Sequence, residues 1–156
     1  MEKNTKIFDS RKELSQPILE LVTTAERALE DAYAPYSNFY VGAAVLLDNG
    51  IIIKGSNFEN ASYPLCLCAE RVALGSVHSQ YPGATVKAIA VTAKNPKQPV
   101  TEPVAPCGAC RQVLLEYEQK QGSPLQVIMF GESGKVIVCE ASKQLLPMAF
   151  GHKFLV

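Results

Sequence analysis

An α/β fold, one mixed sheet of about five strands flanked by helices, is what this sequence predicts, and three observations lead to it. A helical apolar period opens the chain, short β-prone runs follow, and further helical segments are interleaved with those runs. The order reads helix, two strands, helix, strand, helix, two strands, short helix, which gives a single sheet covered by helices. The length of 156 residues suits a single domain, 1–156.

Each element has a local reason. Between Pro17 and Tyr33, Ile18, Leu21, Val22, Ala25, Leu29 and Ala32 recur at helical spacing. Ser15 or Gln16 is placed to cap this helix, with Pro17 in the first turn, where its missing N–H costs little. Ala34-Pro35-Tyr36-Ser37-Asn38 ends it as a loop. Phe39–Leu47 and Ile51–Gly55 then read as a β-hairpin turning at Asn49-Gly50. Asn57–Leu67 has no period and is a loop. Cys68–His78 is helical through Ala69, Val72, Ala73 and Val77, and Val86–Thr92 is a strand. Asn95–Pro106 holds four prolines and must be loop. Cys107–Gln119 is helical, with Cys110, Val113, Leu114 and Tyr117 on one face. Leu125–Phe130 and Lys135–Cys139 are strands joined through Glu132-Ser133-Gly134, and Ser142 is placed to cap a short helix through Leu146.

Composition narrows the function. Formal net charge is zero and no basic stripe is visible, so long polyanionic nucleic acid is not the expected partner. No apolar run approaches a membrane span. The opening residues, MEKNTKIFDSRKEL, lack the apolar segment of a signal peptide. Five cysteines, an odd number with three at metal-like spacing, fit reduced thiols in a cytoplasmic protein better than a disulfide framework.

The chemistry concentrates in Cys68-Ala69-Glu70 and Pro106-Cys107-Gly108-Ala109-Cys110. Three thiolates can hold Zn2+ and leave a fourth position for water. A carboxylate two residues from one ligand can move protons for that water without being a ligand. Cys-x-Glu followed by Pro-Cys-x-x-Cys is the pattern that hydrolytic nucleobase deaminases use. Both motifs fall where a helix starts, and the N–H groups there favour thiolates. Cys107 and Cys110, three apart, can point the same way from one turn. Three thiolates on a dication leave a net negative site, which Arg71 and Arg111 are placed to offset by donating to sulfur. Cys66 would be the fourth ligand of a closed structural site if the zinc were not catalytic. Glu70 would merely complement a helix start if no metal were bound.

At these residues the chain resembles the cytidine deaminase family, in particular its short homotetrameric branch. The likeness runs from about Leu14 to Gly151. It includes Ala34-Pro35-Tyr36-Ser37-Asn38-Phe39, Val41-Gly42-Ala43-Ala44, Asn57-Phe58-Glu59-Asn60-Ala61-Ser62-Tyr63, Cys68-Ala69-Glu70-Arg71, Pro106-Cys107-Gly108-Ala109-Cys110-Arg111-Gln112 and Leu145-Leu146-Pro147. The resemblance implies a three-layer fold of that family and hydrolysis of cytidine and deoxycytidine to uridine and deoxyuridine with release of ammonia, a step of pyrimidine salvage. It implies zinc on Cys68, Cys107 and Cys110, with Glu70 taking a proton from water and passing it to N3 of the pyrimidine and then to the leaving amine. It further implies that Asn57 and Glu59 hydrogen-bond the ribose, that Phe39 packs on base or sugar, and that the Ala69 N–H meets the base carbonyl. Phe150 would close a neighbouring subunit's pocket in a homotetramer, with Ala61 and Tyr63 also at subunit contacts.

The chain departs from the family pattern at Tyr40, where a proline is usual, and in a longer, proline-rich Asn95–Ala105 loop. Its first dozen residues have no counterpart. Deamination of a nucleoside antibiotic, as in the related blasticidin deaminases, is the competing enzyme reading, and Asn57 with Glu59, suited to a plain ribose, argues against it. Polynucleotide editing is disfavoured by neutral charge without interleaved aromatic and basic residues.

Overall fold

The computed structural model describes residues 4–155. Its centre is a sheet built from β1 (Thr5–Phe8), β2 (Tyr40–Leu47), β3 (Ile52–Ser56), β4 (Val86–Lys94), β5 (Gln126–Phe130) and β6 (Val136–Cys139), in the spatial order β1-β6-β5-β4-β2-β3. Three α-helices cover it: α1 (Ile18–Ala28), α2 (Ala69–Gln80) and α3 (Gly108–Gln121). The β4–β5 pair is parallel, with Ala88 opposite Gln126, and every other pair is antiparallel. A parallel pair needs a crossover between its strands, and α3 supplies it.

Strand alternation sorts the core into two halves. Ala43, Val45, Leu47, Ile89, Val91, Val127 and Met129 face one side and pack with Ala69, Ala73, Leu74, Val77 and Leu114 of α2 and α3. Ala44, Leu46, Ala88, Ala90, Ile128, Phe130 and Val138 face the other and pack with Leu21, Val22 and Ala25 of α1. The layers are therefore α1, sheet, and the α2–α3 pair. Deleting a fully buried side chain such as Leu114 would cost about 2–5 kcal/mol.

The sheet has six strands, one more than the five expected from the residue pattern. The extra strand, β1, lies against β6 with Thr5 opposite Cys139 and Phe8 opposite Val136. It is an edge strand held by long-range pairing and by a Lys6–Glu140 ion pair at 2.7 Å, so four residues carry no period of their own to betray it. A turn of 3-10 helix at Arg11–Glu13 follows, capped by Ser10 with Glu13 reaching back to the Ser10 N–H at 2.9 Å.

Other boundaries shift for identifiable reasons. The first helix begins at Ile18 with Pro17 itself at the N-cap position, and neither Ser15 nor Gln16 caps it. After Ala28 its last turn tightens into 3-10 geometry at Leu29–Asp31. The hairpin turn forms at Asn49-Gly50, where the Leu47 N–H donates to Ile51 O at 2.9 Å. The short helix expected after β6 is a 3-10 turn at Ser142–Leu145 with Ala141 at its N-cap, and a further 3-10 turn follows at His152–Phe154. Ser142 is not a cap: its N–H and hydroxyl both donate to the buried Glu118 carboxylate, at 2.6 and 2.9 Å.

Candidate metal centre and pocket

Cys68 and Cys107 are the N-cap residues of α2 and α3, and Cys110 is buried in the first turn of α3. The three sulfurs lie within 4.8 Å of one another, Cys68 to Cys107 at 3.9 Å. Tetrahedral zinc with Zn–S bonds near 2.3 Å would place its sulfurs about 3.8 Å apart, so the donor set fits that ion in both chemistry and spacing. Both helices point their N-terminal N–H groups toward the cluster, a positive environment for thiolates. The Cys68 thiolate accepts hydrogen bonds from Cys110 and from Arg71, which hold its thiol down to about 5, while the same crowding pushes Cys110 up. A cation among the sulfurs would take the place of the protons they otherwise share.

Arg71 Nη2 donates to Cys68 Sγ at 3.6 Å and to Cys66 O at 3.2 Å, so it reaches sulfur as expected. Arg111 does not. Its Nε donates to Pro106 O at 2.8 Å and its Nη1 to Leu145 O at 3.2 Å, so it buttresses the turn before Cys107 instead of charging the sulfurs. Cys66 lies outside the cluster: its sulfur accepts the Asn60 N–H at 3.2 Å and orders that loop. Cys139 ends β6 and its side chain is buried in the core on the α2–α3 side of the sheet.

Close backbone packing sets the height of α2. A Cβ on Gly55 of β3 would lie 2.4 Å from Ala69 O and 2.5 Å from Ala73 N, so only glycine lets the first turn of α2 sit this low on the sheet. That turn carries Glu70, which is 4% exposed. Burial pushes its carboxyl above the usual carboxylate range, and the neighbouring Cys68 charge adds to the rise.

Glu70, Cys68 and Cys107 share the wall of a cavity of about 290 Å³ with Phe39, Asn57 and Glu59. The cavity therefore gathers most of the residues singled out in the sequence. Asn57 Oδ1 accepts the Val41 N–H at 2.8 Å and its Nδ2 donates to Phe39 O at 2.9 Å. One amide hydrogen and one carbonyl lone pair remain for a ligand. Glu59 accepts from the Ser37 hydroxyl and from the N–H groups of Tyr36 and Ser37, at 2.9 and 3.3 Å. The Ser37 hydroxyl bond leads in holding its carboxyl below the usual range, so it stays ionised. Ala69, the first residue of α2, is fully buried between Cys68 and Glu70, and its N–H is among the four that any helix start leaves without an internal acceptor.

Phe150 stands apart from this cavity. It is 59% exposed, stacks on Phe154 with ring centroids 5.6 Å apart, and is tethered by Gln112 Nε2 donating to its carbonyl at 3.0 Å. Ala61 and Tyr63 are exposed as well. The cavity also contains Val41, Val91, Val104 and Ala105, which no motif marks; their apolar side chains are chemically silent in a sequence.

The sequence model of the cytidine and deoxycytidylate deaminase zinc-binding region matches residues 15–122. A cytidine deaminase of Halalkalibacterium halodurans is 44% identical over 130 residues, covering 83% of this chain and 91% of that one. One from Sporosarcina psychrophila is 41% identical over 138 residues, covering 87% and 93%. The crystal structure of cytidine deaminase from Burkholderia pseudomallei superposes with a TM-score of 0.73 at 41% identity, over 88% of this chain and all of that one. Sulfur cluster, buried glutamate, three-layer sheet and these likenesses agree: the chain belongs to the cytidine and deoxycytidylate deaminase family.

Proposed function

We propose that this protein is a zinc-dependent hydrolase that converts cytidine and deoxycytidine to uridine and deoxyuridine with release of ammonia. The observation that carries the reading is a buried carboxylate, Glu70, sharing one cavity wall with two of three sulfurs that lie within 4.8 Å of one another. Cys68, Cys107 and Cys110 would hold the ion. Zinc bound there supplies a Lewis acid that makes water a competent nucleophile at neutral pH. Glu70 takes the proton of the attacking water and delivers it to N3 of the pyrimidine. Once the water oxygen is bonded to C4, Glu70 carries that oxygen's remaining proton to the amine, the C4–N bond breaks, ammonia leaves and the C4 carbonyl forms. Its burial suits a group that must hold a proton between those two transfers.

The rest of the cavity binds and orients. The Ala69 N–H meets the base carbonyl, and Phe39 packs on the base or sugar from a backbone position fixed by Asn57. The leftover amide hydrogen of Asn57 and the ionised Glu59 pair with ribose hydroxyls. A site whose polar groups bond those hydroxyls favours a nucleoside over a free base, which offers them no partner.

The chain acts as one domain and assembles as a homotetramer. Support comes from the apolar side chains left exposed beside the cavity and at the C-terminal end, among them Tyr63, Leu65, Met148 and Phe150. Phe150 lies outside its own chain's cavity and is free to cover a neighbour's. A cytoplasmic place in pyrimidine salvage agrees with the reduced thiols; among the described residues no helix is long and apolar enough to cross a membrane. The deciding experiment follows cytidine loss by ultraviolet absorbance, with and without a chelator, beside a metal count per chain. Turnover that disappears with the metal and returns with zinc supports the reading; zinc-loaded protein inert on both nucleosides overturns it.

A further inference from the structure

The residue that stands out beyond this chemistry is Glu132, in the turn between β5 and β6. Its side chain turns back onto the 95–105 loop. Glu132 Oε1 accepts the Val100 N–H at 3.0 Å and the Asn95 N–H at 3.4 Å, and the Glu132 N–H donates to Val100 O at 2.7 Å. From the other side Arg11 Nη2 donates to Glu132 O at 3.2 Å. The preceding Gly131 brings the two backbones together: a Cβ there would lie 2.4 Å from Val100 O and 2.8 Å from Glu102 O. A long loop rich in proline is thus pinned at its middle by one carboxylate and one close backbone approach, while nearer the cavity the Val104 N–H donates to Phe130 O at a long 3.5 Å.

What the pin holds matters because of where the loop goes next. Val104 and Ala105, at its far end, form an apolar wall of the cavity beside Cys107. They lie at the metal end, whereas Asn57 and Glu59 were assigned to the sugar. We propose that Glu132 is a positioning residue for the nucleoside pocket: by fixing Val100 it sets the depth of the Val104–Ala105 wall against which the pyrimidine ring is seated. This rests on the cavity being the nucleoside site. A loosened wall weakens binding of substrate and transition state alike, so it raises KM while leaving kcat in place.

Three variants of the zinc-loaded enzyme test it, with cytidine kinetics, the inhibition constant of uridine, and zinc content as readouts. Glu132→Ala removes the acceptor and should raise KM for cytidine about five- to tenfold, with the uridine constant rising in parallel and kcat kept within about twofold. Glu132→Gln keeps an oxygen acceptor for the Val100 N–H and should restore KM to near the parent value. Gly131→Ala moves the same loop without removing any polar group and should raise KM as Glu132→Ala does. If Glu132→Ala does not fold, the other two variants carry the test by themselves. Parent-like KM in Glu132→Ala or in Gly131→Ala overturns the proposal, and so does a Glu132→Gln as impaired as the alanine variant. A parent enzyme that fails to turn over cytidine at all would instead sink the functional reading beneath it.

Discussion

Tyr117 of α3 donates its hydroxyl hydrogen bond to the Leu74 carbonyl of α2 at 2.6 Å, joining the two helices whose first turns carry the three sulfurs. Burial raises the Tyr117 pKa, so the folded state favours the neutral phenol. The bond's contribution is therefore complete below the unfolded value of about 10 and is lost as pH rises through the higher folded value. Tyr117→Phe should lower stability by about 1 kcal/mol, near 2–4 °C in Tm for a chain of this size. Thermal melts of both proteins should differ at pH 7 and converge above pH 10; a gap that widens with alkalinity would contradict the assignment.

Glu70→Gln should fold and bind zinc as the parent does, because the amide fills the same space and the sulfurs are untouched. Turnover of cytidine should fall by about 10²–10⁴-fold with the loss of the proton carrier. Full turnover in this variant would end the proposed mechanism.

Arg71→Gln removes a charge-assisted donor to Cys68 Sγ. Zinc affinity, measured by competition with a chromogenic chelator, should drop about tenfold to a hundredfold. The same substitution at Arg111, which bonds only to carbonyls, should leave zinc affinity much less changed.

Gly55→Ala should lift α2 from β3, at a cost of about 1–3 kcal/mol in stability. Cys68 and Glu70 ride on that turn, so activity at temperatures well below the melt should fall as well. A variant that melts early but keeps parent kinetics when cold would separate the packing from the site.

If the proposed homotetramer forms, removing residues from Phe150 onward should dissolve it and lower activity together. Sedimentation and cytidine kinetics on one sample check both. A fully active monomer would show that the pocket is complete within a single chain.

Much of this molecule can be read directly from residue order. Helical period located α1 and α2, and the alternating apolar strands sorted into two faces as their β-propensity requires. The metal set was legible because its chemistry demands rare residue types at fixed spacing. What escaped was long-range. The short strand β1 exists because β6 offers an unpaired edge, and Arg111 looked like a partner for sulfur until the backbone carbonyls of Pro106 and Leu145 claimed it. Val104 and Ala105 enter the cavity through a loop whose path is dictated by Glu132, some thirty positions away.

The edge position of β1 has a practical corollary for anyone handling the protein. Counting across the sheet, β6 and β5 stand between it and β4, whose Val91 touches the cavity, so at about 4.8 Å per strand the separation is close to 14 Å. An affinity handle or fluorescent fusion spliced ahead of Thr5 should thus be innocuous, whereas one appended behind Phe154 would crowd the Phe150–Phe154 stack that is proposed to cover a neighbouring subunit's cavity.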